Sequence, residues 1–394
     1  PSMLPSELVR LHGKICIFEE DSRTHITVHD HPNYGKTDTL SDSIAVLQRN
    51  FAYVVTHGQG IWWLAGGGPT TPHIELSQQP AFRPLIRQFN EIATFALQLN
   101  RKPGAEIAVL LDDESFFYES VCNDLDLPLI FQQRLWGLPR LGAPHDTYLL
   151  QDFIEGRLLP YKLYIFLNPF RLDHTRREAL KRELCRDGRV AVWIYAPGYI
   201  QDDLSLANMT DLTGFTFGKG DHPWGPLMHI TDFQHPITRG LPQDLFWGTN
   251  NRLGPVFHLE DYGAKVLGNV VYSQGRCRPG FGLKEFPEWA SIYVAAPNIP
   301  APVLRGIARY AGVHLYSEAG DVLYATPQLL GVHTVAGGER VFRLPRRVEG
   351  VYDLFGGSMI ARDADQFQVT LRPASTSLYY TGDVALLKAL NVTP

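Results

Sequence analysis

The sequence is poor in cysteine and contains no Cys-x-x-Cys pair. Four cysteines are spread over 394 residues, a spacing that predicts neither a zinc site nor a disulfide framework. There is no run of about 18 apolar residues and no recognisable signal peptide, so we expect a cytoplasmic protein with no membrane partner. The net charge of −5 lacks the basic excess of a nucleic-acid-binding protein, so no nucleic-acid partner is expected.

Several nucleophile and cofactor motifs are also missing. There is no Gly-x-Ser-x-Gly elbow, which argues against a serine hydrolase. The Gly-x-Gly at residues 58–60 lacks the third glycine of a dinucleotide-binding loop. The turn after Tyr195 contains no cysteine, which argues against glutamine amidotransferase chemistry. One loop holds three histidines at a spacing that matches no zinc pattern, His25, His29 and His31. We therefore predict no cofactor and no metal.

An apolar run that stops at a cluster of acids stands near the start of the sequence. Ile15-Cys16-Ile17-Phe18 is typical of a strand buried on both faces. Three acids follow it directly, Glu19, Glu20 and Asp21. Barrel and open-sheet enzymes hold their catalytic groups at the carboxyl ends of such strands. The run therefore indicates either a catalytic strand end or a strand that ends in a solvated acidic loop.

The next segment predicts a helix and a second strand. Apolar residues recur at helical spacing from Leu40 to Val54, with Thr39 or Ser41 as the cap and a closing His-Gly pair. A short apolar strand at 60–65 follows, so the N-terminal region predicts one βαβ unit. A further helix is expected from Phe82 to Ala96.

The middle of the chain predicts a parallel sheet. Apolar runs at 106–111, 161–167 and 190–195 alternate with helical patterns, which is typical of a doubly wound α/β sheet. The acids at 112–114 follow the first run and occupy the usual ligand position of such sheets. Helix capping and solvation are the alternative role for these acids.

The rest of the chain is less regular. Residues 201–287 are rich in Gly, Pro, His and Trp and show one clear strand, near 265–271. Beyond about residue 316, short strands separated by Gly and Pro predict a small all-β domain. These patterns divide the chain into three predicted domains, 1–102, 103–315 and 316–394.

Taken in order, these parts resemble the C-terminal portion of a glycoside hydrolase family 42-like (β-galactosidase-like) protein. The stretches at 13–25 and 49–63 resemble barrel strand seven and then helix seven with strand eight. Those at 105–115, 161–170 and 190–198 resemble the start of the family's trimerisation domain. The resemblance implies an α/β fold: a partial (β/α) barrel segment, a doubly wound flavodoxin-like parallel sheet and a small C-terminal all-β domain. It also implies a homo-oligomer, which in that family is a trimer.

The resemblance further implies a retaining glycosidase with a carbohydrate substrate. In such enzymes one carboxylate attacks the anomeric carbon and a second protonates the leaving oxygen, with the two about 5 to 5.5 Å apart. Glu19 falls at the nucleophile position, and Glu20 faces the opposite way because strand residues alternate. Aromatic residues at strand eight often lie under a sugar in that family, and alternation lets only one of a consecutive pair do so. The implied substrate-binding residues are Trp62, Trp63, Arg23 and His25.

The second catalytic carboxylate has no counterpart in the sequence. In the family it lies on barrel strand four after an Asn, whereas Asn90-Glu91 falls in the middle of a predicted helix. A complete barrel needs about 250 residues, and about 100 precede the second predicted domain. Three explanations stay open: a fragment of a longer enzyme, strands supplied by another chain, or a lost barrel with a scaffolding role. We expect the chain alone not to hydrolyse glycosides, and a non-catalytic oligomerisation or carbohydrate-associated scaffold is the competing function.

Overall fold

The computed structural model of the protein describes residues 4–27, 36–63, 80–100, 104–120, 125–273 and 275–390. The chain forms two compact units. The first unit comprises residues 1–104, 142–144 and 316–394, and the second comprises 105–141 and 145–315. Residues 1–104 and 316–394 therefore belong to one unit, and the division into three domains stays a prediction.

The N-terminal part of the first unit contains the βαβ arrangement that the sequence predicts. β1 (Ile17–Glu20) and β2 (Gly60–Trp63) pair in parallel, with Glu19 opposite Trp62 and Glu20 opposite Trp63. The helices described in this part are α1 (Ser6–Leu11), α2 (Leu40–Thr56) and α3 (Phe82–Ala96). The connection between the two strands is α2, at the position given by its hydrophobic spacing.

Local signals set both ends of α2. The Thr39 side chain accepts a hydrogen bond from the Asp42 N–H at 3.1 Å, which satisfies one of the free amides of the first turn. At the other end, Gly58 adopts a φ of 66°, a left-handed conformation that is easily reached by glycine. Both signals are readable in the sequence, and Thr39 is the residue that caps the helix.

The second unit is built on a nine-stranded mixed sheet. The strands of this unit are, in chain order, β3 (Ile107–Leu111), β4 (Asp146–Leu149), β5 (Leu163–Phe166), β6 (Arg189–Ile194), β7 (Phe217–Gly220), β8 (Leu227–Ile230), β9 (Phe246–Gly248), β10 (Val256–Leu259), β11 (Lys265–Tyr272), β12 (Arg276–Glu285) and β13 (Trp289–Val294). Its α-helices are α4 (Leu150–Ile154), α5 (His174–Leu184), α6 (Leu206–Thr213) and α7 (Ala301–Tyr310).

Five strands of this sheet run parallel, in the spatial order β4-β3-β5-β6-β13. An antiparallel part, β12-β11-β8-β9, continues from β13, and β7 pairs with β10 separately. Every residue of β3, β5 and β6 is buried. Continuous apolar runs are typical of strands covered on both faces, so the parallel strands predicted from these runs are present.

The antiparallel strands between residues 201 and 287 were not predicted, apart from one. Their glycines lower β propensity and hide the alternating pattern, yet several are required by close packing. A Cβ on Gly218 would come within 2.4 Å of the His258 side chain. A Cβ on Gly268 would come within 2.5 Å of the His229 carbonyl oxygen. Tertiary contacts therefore select glycine at positions where local propensity argues against a strand.

The C-terminal part of the first unit is an antiparallel sheet. Its strands are β14 (Val322–Ala325), β15 (Leu329–Thr334), β16 (Gly338–Asp353), β17 (Ser358–Leu371) and β18 (Ser375–Gly382), in the spatial order β14-β15-β18-β16-β17. The strand-rich character expected for this region is observed.

This sheet and the N-terminal helices share one hydrophobic core. α2 and α3 contribute Phe51 and Phe89, whose rings stack 4.3 Å apart. The sheet contributes Leu378 and Tyr380, and the Tyr380 ring meets the Phe95 ring of α3 at 5.2 Å. Because burial of apolar surface drives folding, the two segments pack as one body although more than 200 residues separate them in the chain. Among the described helices of either unit, none is long and apolar enough to cross a membrane.

Candidate functional site

The parallel pair of β1 and β2 has one open face and one covered face. Alternation places Ile17, Glu19 and Trp62 on one side and Phe18 and Trp63 on the other. On the covered side, the centroid of the Phe18 ring lies 6.4 Å from that of Tyr53 in α2. The centroid of the Trp63 ring lies 5.8 Å from that of Phe89 in α3. On the open side, Ile17 is 62% and Trp62 is 46% exposed. The expectation of a strand buried on both faces is therefore wrong within the described residues, because neighbours cover only one side.

The open face brings Glu19 and Trp62 together. They are partners in the parallel register, and both side chains are exposed. A carboxylate can accept hydrogen bonds from sugar hydroxyls or attack an electrophilic carbon. An indole presents a large apolar surface beside it, on which the C–H face of a sugar ring can pack. This pairing of side chains has the chemistry of one half of a sugar site.

Glu20 points to the covered side and is completely buried. Its Oε1 accepts a hydrogen bond from the Ser22 N–H at 3.0 Å, and its Oε2 accepts one from the Asn50 side chain at 2.9 Å. Burial raises the pKa of the Glu20 carboxyl, and these hydrogen bonds partly offset the rise. The carboxyl therefore joins β1 to α2 and does not face the open side.

We expect Asn50→Ala to lower the free energy of unfolding by about 1–3 kcal/mol near neutral pH, because a buried carboxylate oxygen loses its donor. The loss should be smaller at about pH 4.5. The folded pKa of Glu20 lies above its unfolded value, so stability falls as the pH rises through that interval. Without Asn50 the folded pKa rises further, and the fall becomes steeper. Urea unfolding at both pH values measures the effect, and equal losses at the two pH values would contradict it.

Trp63 is a packing residue, and Trp62 is the tryptophan on the open face. Trp63 lies nearly parallel to the Phe89 ring, at 11°, and borders the core of the first unit. Trp63 therefore packs β2 on α3, and its part in substrate binding stays a prediction. Alternation along the strand predicts that one tryptophan packs on the core and the other is exposed. The observed exposure of Trp62 shows that Trp62 is the exposed one.

The two tryptophans make a matched pair of variants. We expect Trp63→Ala to cost about 2–4 kcal/mol of unfolding free energy, since it removes a large ring from the edge of a core. We expect Trp62→Ala to change that quantity by less than about 0.5 kcal/mol. Urea denaturation of both proteins measures the difference. Losses of similar size would contradict the assignment of the two faces.

The other two predicted substrate-binding residues lie in the loop after β1. The His25 N–H donates to the Ser43 Oγ at 3.0 Å, and its Nδ1 lies 2.8 Å from the same oxygen. The imidazole also meets the Phe82 ring edge-on, with centroids 6.0 Å apart. His25 is therefore held against the first turn of α2, and its part in substrate binding stays a prediction. The carbonyl of the half-buried Arg23 accepts a hydrogen bond from the Thr37 N–H at 3.2 Å, and its part in substrate binding stays a prediction.

The other two histidines of that loop, His29 and His31, lie outside the described residues. Within the part of the chain that the structure describes, no group of three or more His, Cys, Asp or Glu side chains could hold a metal ion. The described cysteines Cys16, Cys185 and Cys277 are free thiols.

The first of the acids after β3 has a structural role in the second unit. The buried Asp112 accepts hydrogen bonds from Arg176 at 2.7 Å and from the Ser115 hydroxyl. The Asn168 side chain pairs with the Asp112 backbone through two hydrogen bonds of 2.9 Å each. These contacts join the ends of β3 and β5 to α5. Both side-chain oxygens of Asp112 are therefore engaged by protein groups, and its side chain is not solvated.

A cavity in the second unit involves a residue that the sequence did not indicate. Glu119 lines a space of about 430 Å³ at the ends of several strands. The sequence around it predicts only helical segments interrupted by proline, and a single acid there gives no signal. The aromatic run Phe116-Phe117-Tyr118 just before it is the one local feature that could have drawn attention to this place.

Comparison with solved structures gives a consistent result. The chain is similar to the β-galactosidase of Bacillus circulans sp. alkalophilus (TM-score 0.65, 15% identity, 96% of this chain and 57% of that one). It is also similar to the cold-adapted β-galactosidase of Rahnella sp. R3 (TM-score 0.65, 13% identity, 96% of this chain and 56% of that one). A third similar structure is Gan42B, a GH42 β-galactosidase of G. stearothermophilus (TM-score 0.64, 14% identity, 96% of this chain and 56% of that one). No protein-family model and no curated protein matches the chain.

These similarities show a GH42-like α/β fold, at identities too low to show more than the fold. The chain spans a little over half of the length of the structures it matches. The alignment covers nearly all of this chain, so both units belong to the shared architecture.

Proposed function

We propose that the chain forms part of a retaining glycoside hydrolase of the β-galactosidase type, in which Glu19 is the nucleophile. The observation that carries the proposal is the pairing of Glu19 with Trp62 on the open face of β1 and β2. The fold shared with β-galactosidases along almost the whole chain supports it. Residues 1–102 then correspond to the last strands of a (β/α) barrel, whose interior would be lined by this face.

The chemistry assigned to Glu19 follows from its position. Its carboxylate attacks the anomeric carbon of the sugar, the glycosidic bond breaks, and a covalent glycosyl-enzyme forms until water hydrolyses it. A second carboxyl must protonate the leaving oxygen, at about 5 to 5.5 Å from the nucleophile. Glu20 cannot take this part, because it is buried on the opposite side of the strand. We therefore propose that the acid/base carboxyl comes from a barrel strand other than β1 and β2.

Trp62 is the proposed sugar platform. It lies across from Glu19 on the neighbouring strand, so a ring resting on the indole would place its anomeric carbon toward the carboxylate. The open face also exposes Ile17, an apolar side chain that suits the interior of a barrel. Within the described residues, β1 and β2 supply neither an acid/base nor the walls of a sugar site. We therefore propose that this polypeptide alone does not hydrolyse glycosides.

The second unit is proposed to be a flavodoxin-like trimerisation-type domain. The spatial order of its parallel strands is 2-1-3-4-5 in chain order, which is the order of flavodoxin-like sheets. A non-catalytic oligomerisation or carbohydrate-associated scaffold is the competing function. The observation that supports this scaffold function is the isolated position of Glu19, because its neighbour Glu20 is buried on the opposite side of the strand.

An activated 2-fluoro-glycoside tests the catalytic proposal, since it leaves its sugar on the nucleophile of a retaining enzyme. The experiment uses the full-length product of the reading frame and maps the labelled peptide by mass spectrometry. We expect the label on Glu19. Labelling of Glu20 or Asp21 would contradict the assignment, and a protein that takes no label would favour the scaffold function.

A further inference from the structure

The cavity in the second unit has an aromatic wall and an acidic residue. It encloses about 430 Å³, a volume in the usual range for small-molecule sites. The wall is formed by residues that follow the parallel strands: Tyr118, Phe170, Tyr195, Tyr199 and, from β10, Phe257. Crevices at the carboxyl ends of parallel strands are where open α/β sheets bind ligands. Location and shape therefore mark the cavity as a binding site.

The aromatic wall is held rigidly. The Tyr195 ring meets the Phe170 ring at 5.8 Å and the Phe257 ring at 5.4 Å, both edge to face. The Tyr195 hydroxyl donates to the Pro255 carbonyl at 2.9 Å. The backbone of Tyr195 adopts a left-handed φ of 67°. A bulky residue takes that conformation only when its surroundings enforce it. Here Tyr293 helps to do so by donating to the Tyr195 carbonyl at 2.7 Å.

The acidic residue of the cavity lacks a donor. Both carboxyl oxygens of Glu119 are buried, and among the residues that the structure describes no N–H or hydroxyl group donates to them. Their one hydrogen-bonding neighbour in that part of the chain is the Asp126 carboxyl. The buried Oδ1 of Asp126 likewise receives no N–H or hydroxyl donor in that part of the chain, so the two carboxyls can share a proton. Burial is the main cause, and Asp126 the second, of a rise in the pKa of Glu119 to about 8. When the shared proton leaves, two buried negative charges lie side by side, so this pair marks a place where a cation would replace the proton.

We propose that this cleft binds a small organic cation through its ammonium group, with Glu119 as the counter-ion and the aromatic wall as a cage. Aromatic faces carry negative partial charge and attract ammonium groups. A quaternary or protonated ammonium also compensates the charge of a buried carboxylate by its own opposite charge. The proposal concerns a site in the second unit and does not depend on the glycosidase function proposed for β1 and β2.

The charges around the cleft agree with a cationic ligand. Glu119 faces Asp126, whose like charge makes a bound cation more favourable. The one cationic side chain among the lining residues is the exposed Arg252, which reaches the Pro223 carbonyl at 3.5 Å. Burial raises the pKa of the Tyr195 hydroxyl, and the nearby Tyr199 and Glu119 raise it further, so Tyr195 adds no negative charge. The Arg171 guanidinium lies 5.5 Å from the centroid of the Tyr118 ring and pairs with Glu114 and Asp173, so that face of Tyr118 is already occupied and the cage consists of the other rings. Once Glu119 ionises, Glu119 and Asp126 outnumber Arg252.

Choline is the probe that tests this site, because its charge does not change with pH. Calorimetric titration of the full chain should show choline binding, and glucose, a neutral sugar, should not compete. The Glu119 proton must leave before the cation binds. The choline Kd should therefore fall about tenfold for each pH unit up to about pH 8 and then level off. Sodium chloride at the same concentration controls for ionic strength.

Two variants complete the experiment. Glu119→Gln keeps the shape of the side chain and should weaken choline binding at least about tenfold above pH 8 while removing its pH dependence. Asp113→Asn removes a charge from an exposed position outside the cavity lining and should bind as the wild type does. Circular dichroism melts verify that both variants fold. The proposal would be overturned if choline did not bind, or if it bound equally well to Glu119→Gln. It would also be overturned if glucose bound to the cavity instead of choline and did so independently of pH.

Discussion

Glu19→Gln is expected to reduce glycoside hydrolysis by the full-length product of the reading frame on the order of 10⁴-fold or more, a loss in the range seen when other covalent enzymes lose their nucleophile. The amide cannot attack the anomeric carbon, so the glycosyl-enzyme does not form. Because Glu19 is exposed on the open face of β1, the substitution should leave folding unchanged. Steady-state kinetics on an aryl β-galactoside measure the loss, and urea unfolding measures the stability.

Asp21→Asn is the matched control for this prediction. Asp21 is an exposed acid two residues away, beyond the end of β1, so its loss should change kcat by no more than a few fold. Glu19→Ala with added azide gives a second readout, because a small anion can enter the space of the missing carboxylate and attack the sugar. Recovery of turnover as glycosyl azide is expected. If Asp21→Asn lost as much activity as Glu19→Gln, or azide had no effect, Glu19 would not be the nucleophile.

Features of the fold that depend on neighbours in the chain could be predicted from the sequence. The bounds of α2 follow from hydrophobic spacing, a Thr cap and a closing glycine, all of which act within a few residues. The cap of α5 shows the limit of this reasoning. The Thr175–Glu178 spacing resembles a capping box, yet the side chain that accepts the Arg176 N–H, at 2.8 Å, is Asp173. Asp173 and Thr175, two positions apart, both suit a cap, and local sequence does not rank them.

What could not be predicted depends on contacts that are distant in the chain. The apolar run before Glu19 suits a strand covered on both sides, but the sequence does not say which neighbours will cover it, and only one side is covered within the described residues. Glu119 and Asp126 stand out only once folding has buried their oxygens without donors. The candidate site was partly predictable for the opposite reason. Alternation along a strand separates Glu19 from Glu20 and Trp62 from Trp63 without any tertiary information.

Arg176→Met is expected to lower the free energy of unfolding by about 3–5 kcal/mol near neutral pH, the usual cost of leaving one charge of a buried pair without its partner. The Asp112 side chain is fully buried and the Arg176 side chain is 10% exposed, with 2.7 Å between Oδ1 and Nη2. Burial already raises the pKa of Asp112, and Arg176 lowers it in part. Without the guanidinium the folded pKa rises further, so stability falls as the pH increases, and the loss should be smaller near pH 5. Urea unfolding at the two pH values measures both quantities.

An exposed ion pair of the same unit serves as the control. Lys265 and Asp232 lie 2.7 Å apart with the lysine side chain 57% exposed, so Lys265→Met should cost less than about 1 kcal/mol. The contrast isolates burial, since both substitutions remove one cation from a short ion pair. Asp112 stands at the usual ligand position of an open sheet. Both of its side-chain oxygens already accept hydrogen bonds, one from Arg176 and one from Ser115. If both variants lost equally little, the buried pair would not hold β3 to α5, and Asp112 would again be open to a ligand.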